Sequence, residues 1–518
     1  MRIDVYGSGF TVTEFSPQGY EAAVRLCRYV GQYEWKKHPD GSSEKKLTGV
    51  YAGRTKDAKE FTFHKVYLKK FQRMLSDYAP SEEVRYVRHK LPQAFKISVT
   101  LLDKRPPRPA QAAAVDFIFA PPKIIDEDSE NTRYCAVILG PGRGKTFVAI
   151  RALVRAGVRV VLILRAQYVD KWIGDLQKAL DLVPGDLDVV RGGDALRKLM
   201  ALGMAGTLTS KVSLISNSTY RNYIADYELY GQMIKSMGYC FTPHEFFGGI
   251  GAGMLGIDEI HQDWHFNLRL MAYSHVTYIF GLSGTLRPDD PFKREITDTV
   301  FPLELCVSEP PPPPYLKVTA LEYKFAEPGK IRYKNKGRTD YSHDALEKYI
   351  LKEKTTLRNY LNMIRDIVKL AFMEGYRPGK RFLVFASRIE MCTWITTVLA
   401  KDYPDLKVLR YCGPDPYSNV EEFDILVSTK GSCGTAIDMP GLEKILMTTA
   451  IGDSQANLQI IKRVRDPEMI EGGEDYDPEF AYLMSLDIPQ HGFYHDKKRD
   501  IFRGECVSHT HLVTDYVI

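Results

Sequence analysis

Two parallel α/β domains joined by a hinge, behind a small basic α+β module, are what this 518-residue sequence predicts. Three observations carry the prediction. The chain exceeds the roughly 250–300 residues at which a single core stops growing. From Tyr134 onward, short β-branched runs alternate with helical stretches, the pattern of right-handed βαβ crossovers and a parallel sheet. That grammar occurs twice, on either side of Pro310–Pro314. Five prolines can continue neither a helix nor a central strand, and they make a stiff spacer of roughly 15 Å.

The elements follow in order. "RIDVYGSGFTVTEF" alternates as a strand does, while "GYEAAVRLCRYV" and "VYLKKFQRMLSDY" have helical spacing, so residues 1–100 form an α+β module. Residues 101–308 hold the runs "YCAVIL", "RVVLILR", "KVSLIS", "GMLGID" and "TYIFGLS". Residues 309–518 repeat the pattern in "KRFLVFAS", "LKVLRY", "FDILVST" and "EKILMTT" and end in a C-terminal extension.

Composition narrows the class. Apolar residues make up 44% and charged residues 26%, ordinary for a globular protein. No secretory signal is read in residues 1–30, and no stretch reaches the roughly 20 apolar residues that cross a bilayer. Eight scattered cysteines without a C-x-x-C pair speak against a zinc ribbon and for a reducing, cytoplasmic setting with no membrane partner. Net charge is +5, but Glu34 to Lys104 holds 16 Lys/Arg against 9 Asp/Glu. Lys45, Lys46, Lys69, Lys70 and Arg73 are the foremost of these cations. Aromatic residues lie among them (Tyr33, Trp35, Tyr51, Phe61, Phe63, Tyr67, Phe71), which suits phosphate contacts combined with base stacking.

"GPGRGKT", residues 140–146, lies between the run "YCAVIL" and the helical stretch "KTFVAIRALVRAG". A phosphate loop needs that context, because the strand delivers backbone N–H groups and the helix N-terminus adds positive potential. Gly140, Gly142 and Gly144 let the backbone wrap a phosphate, Lys145 reaches the β/γ oxygens of ATP, and the Thr146 hydroxyl ligands Mg²⁺. The first glycine of the strict pattern is Leu139 here. "GMLGIDEIH" places Asp258 and Glu259 after another strand, at the same carboxyl edge of a parallel sheet. Asp258 suits Mg²⁺, partly through water, and Glu259 the orientation and deprotonation of an attacking water. His261 is placed to couple this site to its surroundings.

At these residues the chain resembles a superfamily 2 helicase of the DExH kind, along some 400 residues in motif order. The resemblance implies two RecA-like motor domains. It also implies that Arg108 and Gln111 in "RPPRPAQAAAVDFI" read adenine. Arg165 and Gln167 in "VVLILRAQYVDKWIGDL", Ser216 in "ISNSTY" and Thr429 in "ILVSTKGSCGTAIDMPGL" would hold a nucleic-acid backbone. Ser283 and Thr285 in "FGLSGTLRP", with Asp438, would couple the nucleotide to that grip. In "SQANLQIIKRVRD", Gln459 and Arg463 match the last motif and Arg465 arrives one residue early, so Arg463 is the first candidate for an arginine finger. Within the superfamily the chain is most similar to phage UvsW-type branch-migration helicases, and "GTAIDMPGLEK" is also similar to poxviral transcript-release helicases.

The expected function is an ATP- and Mg²⁺-dependent DNA motor on single-stranded, forked or branched DNA, acting as a monomer in the cytoplasm, that of the host if phage-encoded. An RNA-directed motor or transcript-release factor is the alternative enzyme. A nucleotide-binding switch or scaffold with little turnover is the alternative of another class.

Overall fold

The computed structural model describes residues 1–37, 43–120, 132–140, 142–309, 313–334, 340–413, 415–433, 439–464, 466–467 and 475–518. The chain divides into two compact units, Met1–Glu309 and Pro310–Ile518, at the start of the proline run. Arg465 and Asp438 lie outside the described residues.

Each unit contains a seven-stranded, all-parallel sheet with flanking helices, the two RecA-like α/β domains of the expectation. In the first unit the strands run in the order Leu187–Val190, Val212–Ser216, Val160–Leu164, Met254–Ile257, Tyr278–Ser283, Arg133–Ile138 and Cys306–Ser308. The second unit runs Val408–Tyr411, Ile425–Thr429, Arg381–Ala386, Leu442–Met447, Glu479–Met484, Leu316–Lys324 and Cys506–Val517. The run "RFLVFA" shows why such strands are legible. Phe382, Val384 and Ala386 enter the core on one face of the sheet, Leu383 and Phe385 the core on the other. A strand buried on both faces is a continuous apolar run.

Residues 1–88 form their own five-stranded sheet, in the order Gly53–Arg54, Phe61–His64, Gly9–Thr13, Arg2–Val5 and Arg85–Arg88. The helices Pro17–Tyr29 and Leu68–Tyr78 accompany it, and Gly31–Lys37 pairs with Ser43–Val50 as a separate hairpin. This sheet shares one apolar core with the parallel sheet of the first unit: Phe10, Phe63 and Phe71 belong to the same buried cluster as Tyr134, Trp264 and Tyr273. The contact is close enough to require glycine, since a Cβ on Gly9 would lie 2.1 Å from the Ala272 carbonyl oxygen.

Polar groups continue the seam. Glu60 accepts from the Tyr227 hydroxyl at 2.9 Å and lies 3.3 Å from His244 Nε2. Tyr6 stacks on His89 and His275, with ring centroids 4.4 and 4.0 Å away. Removing residues 1–100 would therefore uncover core, and the basic face has to be tested by point substitution.

The interleaved aromatics have a different explanation from base stacking. Tyr51, Phe61, Phe63, Tyr67 and Phe71 are buried, none more than 2% exposed. In the helix Leu68–Tyr78, Phe71 points into the core while Lys69 and Arg73 face outward, so one linear stretch carries both. Among the described residues no helix is long and apolar enough to cross a membrane.

Candidate nucleotide and nucleic-acid site

Local sequence builds the phosphate loop. The strand Arg133–Ile138 ends at Leu139, whose side chain is 1% exposed and whose N–H donates to the Ser283 carbonyl at 2.9 Å. The position that departs from the strict glycine pattern thus extends the sheet and fills the core. Gly142 and Gly144 have φ of +71° and +87°, a region glycine enters without steric cost. Gly144 caps the helix Lys145–Ala156, leaving the first N–H groups of that helix directed at the loop. Thr146, its second residue, is half-buried.

Gln111 braces this loop from a distant helix. Its Nε2 donates to the Arg143 carbonyl at 2.9 Å, and its Oε1 accepts from the Arg108 N–H at 3.0 Å. A Cβ on Gly144 would lie 2.4 Å from that Nε2, so the glutamine occupies the space a side chain would need. One end of the Gln111 amide supports the loop and the other closes the N-terminus of its own helix.

Three segments far apart in sequence meet at the carboxyl edge of the sheet. Lys145 Nζ lies 3.5 Å from Glu259 Oε1. The other oxygen of Glu259 is 3.3 Å from His261 Nδ1, which lies 2.8 Å from Ser283 Oγ. Ser283 Oγ in turn is 2.7 Å from the Thr285 carbonyl and accepts the Thr285 N–H at 3.1 Å. Glu259, His261 and Ser283 are all at most 6% exposed. Glu259 has φ of +50°, and a non-glycine residue held there stores about 1–3 kcal/mol of backbone strain. The Thr285 hydroxyl is buried without a hydrogen-bond partner among the described residues, which costs about 1–3 kcal/mol.

Asp258 is held by a residue the sequence reading missed. Trp172, on the helix Val169–Ala179 and 2% exposed, donates its indole N–H to Asp258 Oδ2 at 3.0 Å. A buried tryptophan on the apolar face of a helix needs a partner for that N–H, and this was the available signal. Asp258 Oδ1 accepts from the Glu259 N–H at 3.0 Å. Burial, and then the charge of Glu259, push the Asp258 carboxyl above its ordinary range. Among the described residues no cluster of three or more His, Cys, Asp or Glu could hold a metal by itself; an Mg²⁺ bound with phosphate could be held by Asp258 and Thr146.

The expected nucleic-acid residues are distributed unevenly. Arg165 is half-buried and lines the same small hollow as Asp258, Glu259 and Gln262, and Gln167 is exposed just beyond it. Ser216 is 3% exposed and caps the helix Asn217–Tyr230, its Oγ accepting the Thr219 N–H at 3.3 Å. With Arg191, Ser218, Asn222 and Tyr239 it lines a cavity of about 510 Å³. Lys45, Lys46, Lys69 and Arg73 are exposed, whereas Lys70 Nζ sits 3.6 Å over the Tyr29 ring.

In the second unit, Thr429 ends the strand Ile425–Thr429, its Oγ1 donating to Ser432 Oγ at 3.0 Å. Gln459 is half-buried on the helix Ser454–Ile461. Arg463 follows that helix and is 7% exposed. Its charge lowers the Cys433 thiol pKa, but burial outweighs it and the thiol is pushed up to about 11.

No family model matches the chain, and no curated protein matches it. Among solved structures it is similar to the helicase domain of Hef from Pyrococcus furiosus, at 13% identity. That likeness covers 75% of this chain and 98% of the other, with a TM-score of 0.40. A likeness so distant carries no functional argument, and function has to be read from the residues of the site.

Proposed function

We propose that this protein is an ATP-driven nucleic-acid motor, a nucleic-acid-stimulated ATPase with helicase or translocase activity on forked or branched DNA. The observation that carries the reading is the connected row Lys145–Glu259–His261–Ser283–Thr285. A nucleotide-binding loop alone would suit a switch. Here a phosphate-facing lysine, a buried carboxylate and a strand-end serine touch in series, so a change at the phosphates has a route to the sheet edge where Arg165 and Ser216 stand.

In this reading Lys145 binds the β/γ oxygens of ATP, and Glu259, released from Lys145, orients the water and takes its proton. His261 holds the other Glu259 oxygen in place. Mg²⁺, when bound, neutralises phosphate charge. In the second unit Arg463 is the arginine finger of this reading, with Gln459 of the same motif and Arg465 as the alternative finger. Arg165, Gln167, Ser216 and Thr429 grip backbone rather than bases, which makes binding sequence-tolerant and salt-sensitive. The basic face of residues 1–100 adds the recognition of branched shape. The similarity to branch-migration helicases supports DNA as the substrate and, with it, a phage replication or recombination setting.

The deciding experiment compares ATPase stimulation by single-stranded DNA, duplex, fork, four-way junction and RNA. Strongest stimulation by forks and junctions supports the proposal. Stimulation by RNA alone would favour the transcript-release reading, and no turnover with saturating nucleic acid would favour a switch.

Arg463→Ala is expected to leave ATP and DNA binding largely intact while lowering turnover by about 10³-fold, the scale of an arginine finger. Arg465→Ala measured alongside shows which arginine acts, since the larger loss marks the finger. On the basic face, joint substitution of Lys45, Lys46, Lys69 and Arg73 by serine should weaken junction binding and leave strand-stimulated hydrolysis near wild type. The slope of log affinity against log salt should shrink by about 0.9 for each phosphate that the protein no longer neutralises. An unchanged slope would show that this face does not touch the backbone.

A further inference from the structure

The helix Pro489–Phe502 in the second unit carries a lysine to which the motor reading gives no role. Lys498 is 2% exposed, and burial alone pushes its ammonium down to about 7. Among the described residues no carboxylate pairs with it. Its surroundings are instead a carbonyl and two aromatic faces. Nζ donates to the Ile451 carbonyl oxygen at 2.7 Å and lies 5.1 and 5.9 Å from the ring centroids of Tyr482 and Tyr494. A buried cation without a counter-charge is costly to keep, and apolar side chains of similar length would fill the same volume without that cost.

What the ammonium holds is the turn into the helix of the last motif. The strand Leu442–Met447 ends, the chain turns through Thr448–Gly452, and Asp453 caps the helix Ser454–Ile461 by accepting the Ala456 N–H at 2.7 Å. The Ile451 carbonyl also accepts from Asn457 Nδ2 at 3.2 Å, and that nitrogen donates to the Asp453 carbonyl at 2.8 Å. The turn is pressed against the lysine's own helix, where a Cβ on Gly452 would lie 2.3 Å from Tyr494 Cε1. One carbonyl thus ties the start of the Ser454–Ile461 helix to Pro489–Phe502. Gln459 lies on that tied helix, and Arg463 follows it by two residues.

We propose that Lys498 is a positioning residue for ATP turnover, anchoring through the Ile451 carbonyl the helix that presents Gln459 and Arg463. The proposal rests on the motor reading of those two residues. Lys498 is 2% exposed and presents no surface to a nucleotide or nucleic acid, so in this reading its loss changes how well Arg463 is placed and not how tightly ATP is held. Misplacement of a catalytic group by about 1 Å costs on the order of 10²-fold in rate, which sets the scale of the effect.

The test uses the full chain and the variants Lys498→Met, Lys498→Arg and Gly452→Ala. Lys498→Met should melt within a few degrees of wild type, because it removes a lone buried charge and keeps the side-chain length. Its kcat should fall roughly ten- to a hundredfold, with KM for ATP within about twofold. Lys498→Arg, which keeps a cationic donor, should recover most of that turnover. Gly452→Ala, which pushes the turn off Tyr494 and leaves the lysine intact, should reproduce the kcat loss with unchanged KM, and it decides the matter if Lys498→Met does not fold. Hydrogen exchange without nucleotide or nucleic acid should show faster exchange confined to residues 449–463 in Lys498→Met or Gly452→Ala. Unchanged exchange there would overturn the anchor, whatever the ATPase result. Faster exchange with wild-type kcat would overturn the role in turnover. A wild-type chain that hydrolyses no ATP would instead overturn the motor reading, and the exchange result would still stand.

Discussion

Glu259→Gln is expected to bind ATP about as tightly as the wild type and to hydrolyse it on the order of 10²–10⁴-fold more slowly, the range of a missing general base. The substitution keeps the volume and both polar atoms of the side chain, so contacts to Lys145 and His261 have atoms to replace them. What disappears is the negative charge and the ability to take a proton from water. The strained backbone at this position, with φ of +50°, is unaffected, because Gln meets the same steric limits as Glu. Binding of a fluorescent ATP analogue and single-turnover hydrolysis separate the two steps. Near-normal hydrolysis by this variant would remove Glu259 from the chemistry and leave the row of contacts a structural one.

Lys145→Ala should abolish measurable hydrolysis and weaken ATP binding by roughly ten- to a hundredfold, the value of one charge-assisted hydrogen bond. The energetics have two parts. The nucleotide loses the protein cation that faces its β/γ charge. In the free protein Glu259, 6% exposed, also loses the ammonium at 3.5 Å, so a buried carboxylate is left with less compensation beside Asp258. The second part predicts non-additivity: with Glu259→Gln already present, adding Lys145→Ala should cost the free protein less stability than it does alone. Thermal melts of the two single variants and the double variant measure that coupling. A simple sum of the two effects would show that the 3.5 Å contact contributes nothing.

Much of the architecture is legible in the linear chain, and the reason is the range over which the information acts. Nine strands of the two parallel sheets announce themselves as apolar, β-branched runs because a strand covered on both faces needs apolar residues at consecutive positions. Of the five strands not read, Glu479–Met484 is an interior apolar run that carries the signature and was passed over. Leu316–Lys324 alternates buried and exposed residues, and the edge strands lack the signature. Leu187–Val190 and Cys306–Ser308 are edge strands of four and three residues. Cys506–Val517, at the edge of the second sheet, is polar and largely exposed. The phosphate loop and "DEIH" are likewise local, since glycine conformation, helix start and strand end are all set within a few residues.

The sequence by itself determined two parallel α/β domains, a break at the proline run, and the identity of Lys145, Thr146, Asp258 and Glu259 as candidates at one sheet edge. Tertiary structure alone decided which side chains those residues meet. That Trp172 holds Asp258, that Gln111 fills the space beside Gly144, and that His261 bridges Glu259 to Ser283 all depend on crossovers that bring distant segments together. It also decided that Phe61, Phe63 and Phe71 are core while Lys69 and Arg73 face solvent. Alternation in sequence records that a residue differs from its neighbour. Which side of the element is covered depends on what packs against it. Phe61 and Phe63 meet Tyr20 and Phe71 from the module's own helices, while the helix Trp264–Tyr273, nearly two hundred residues away, meets the opposite face of the sheet at Gly9.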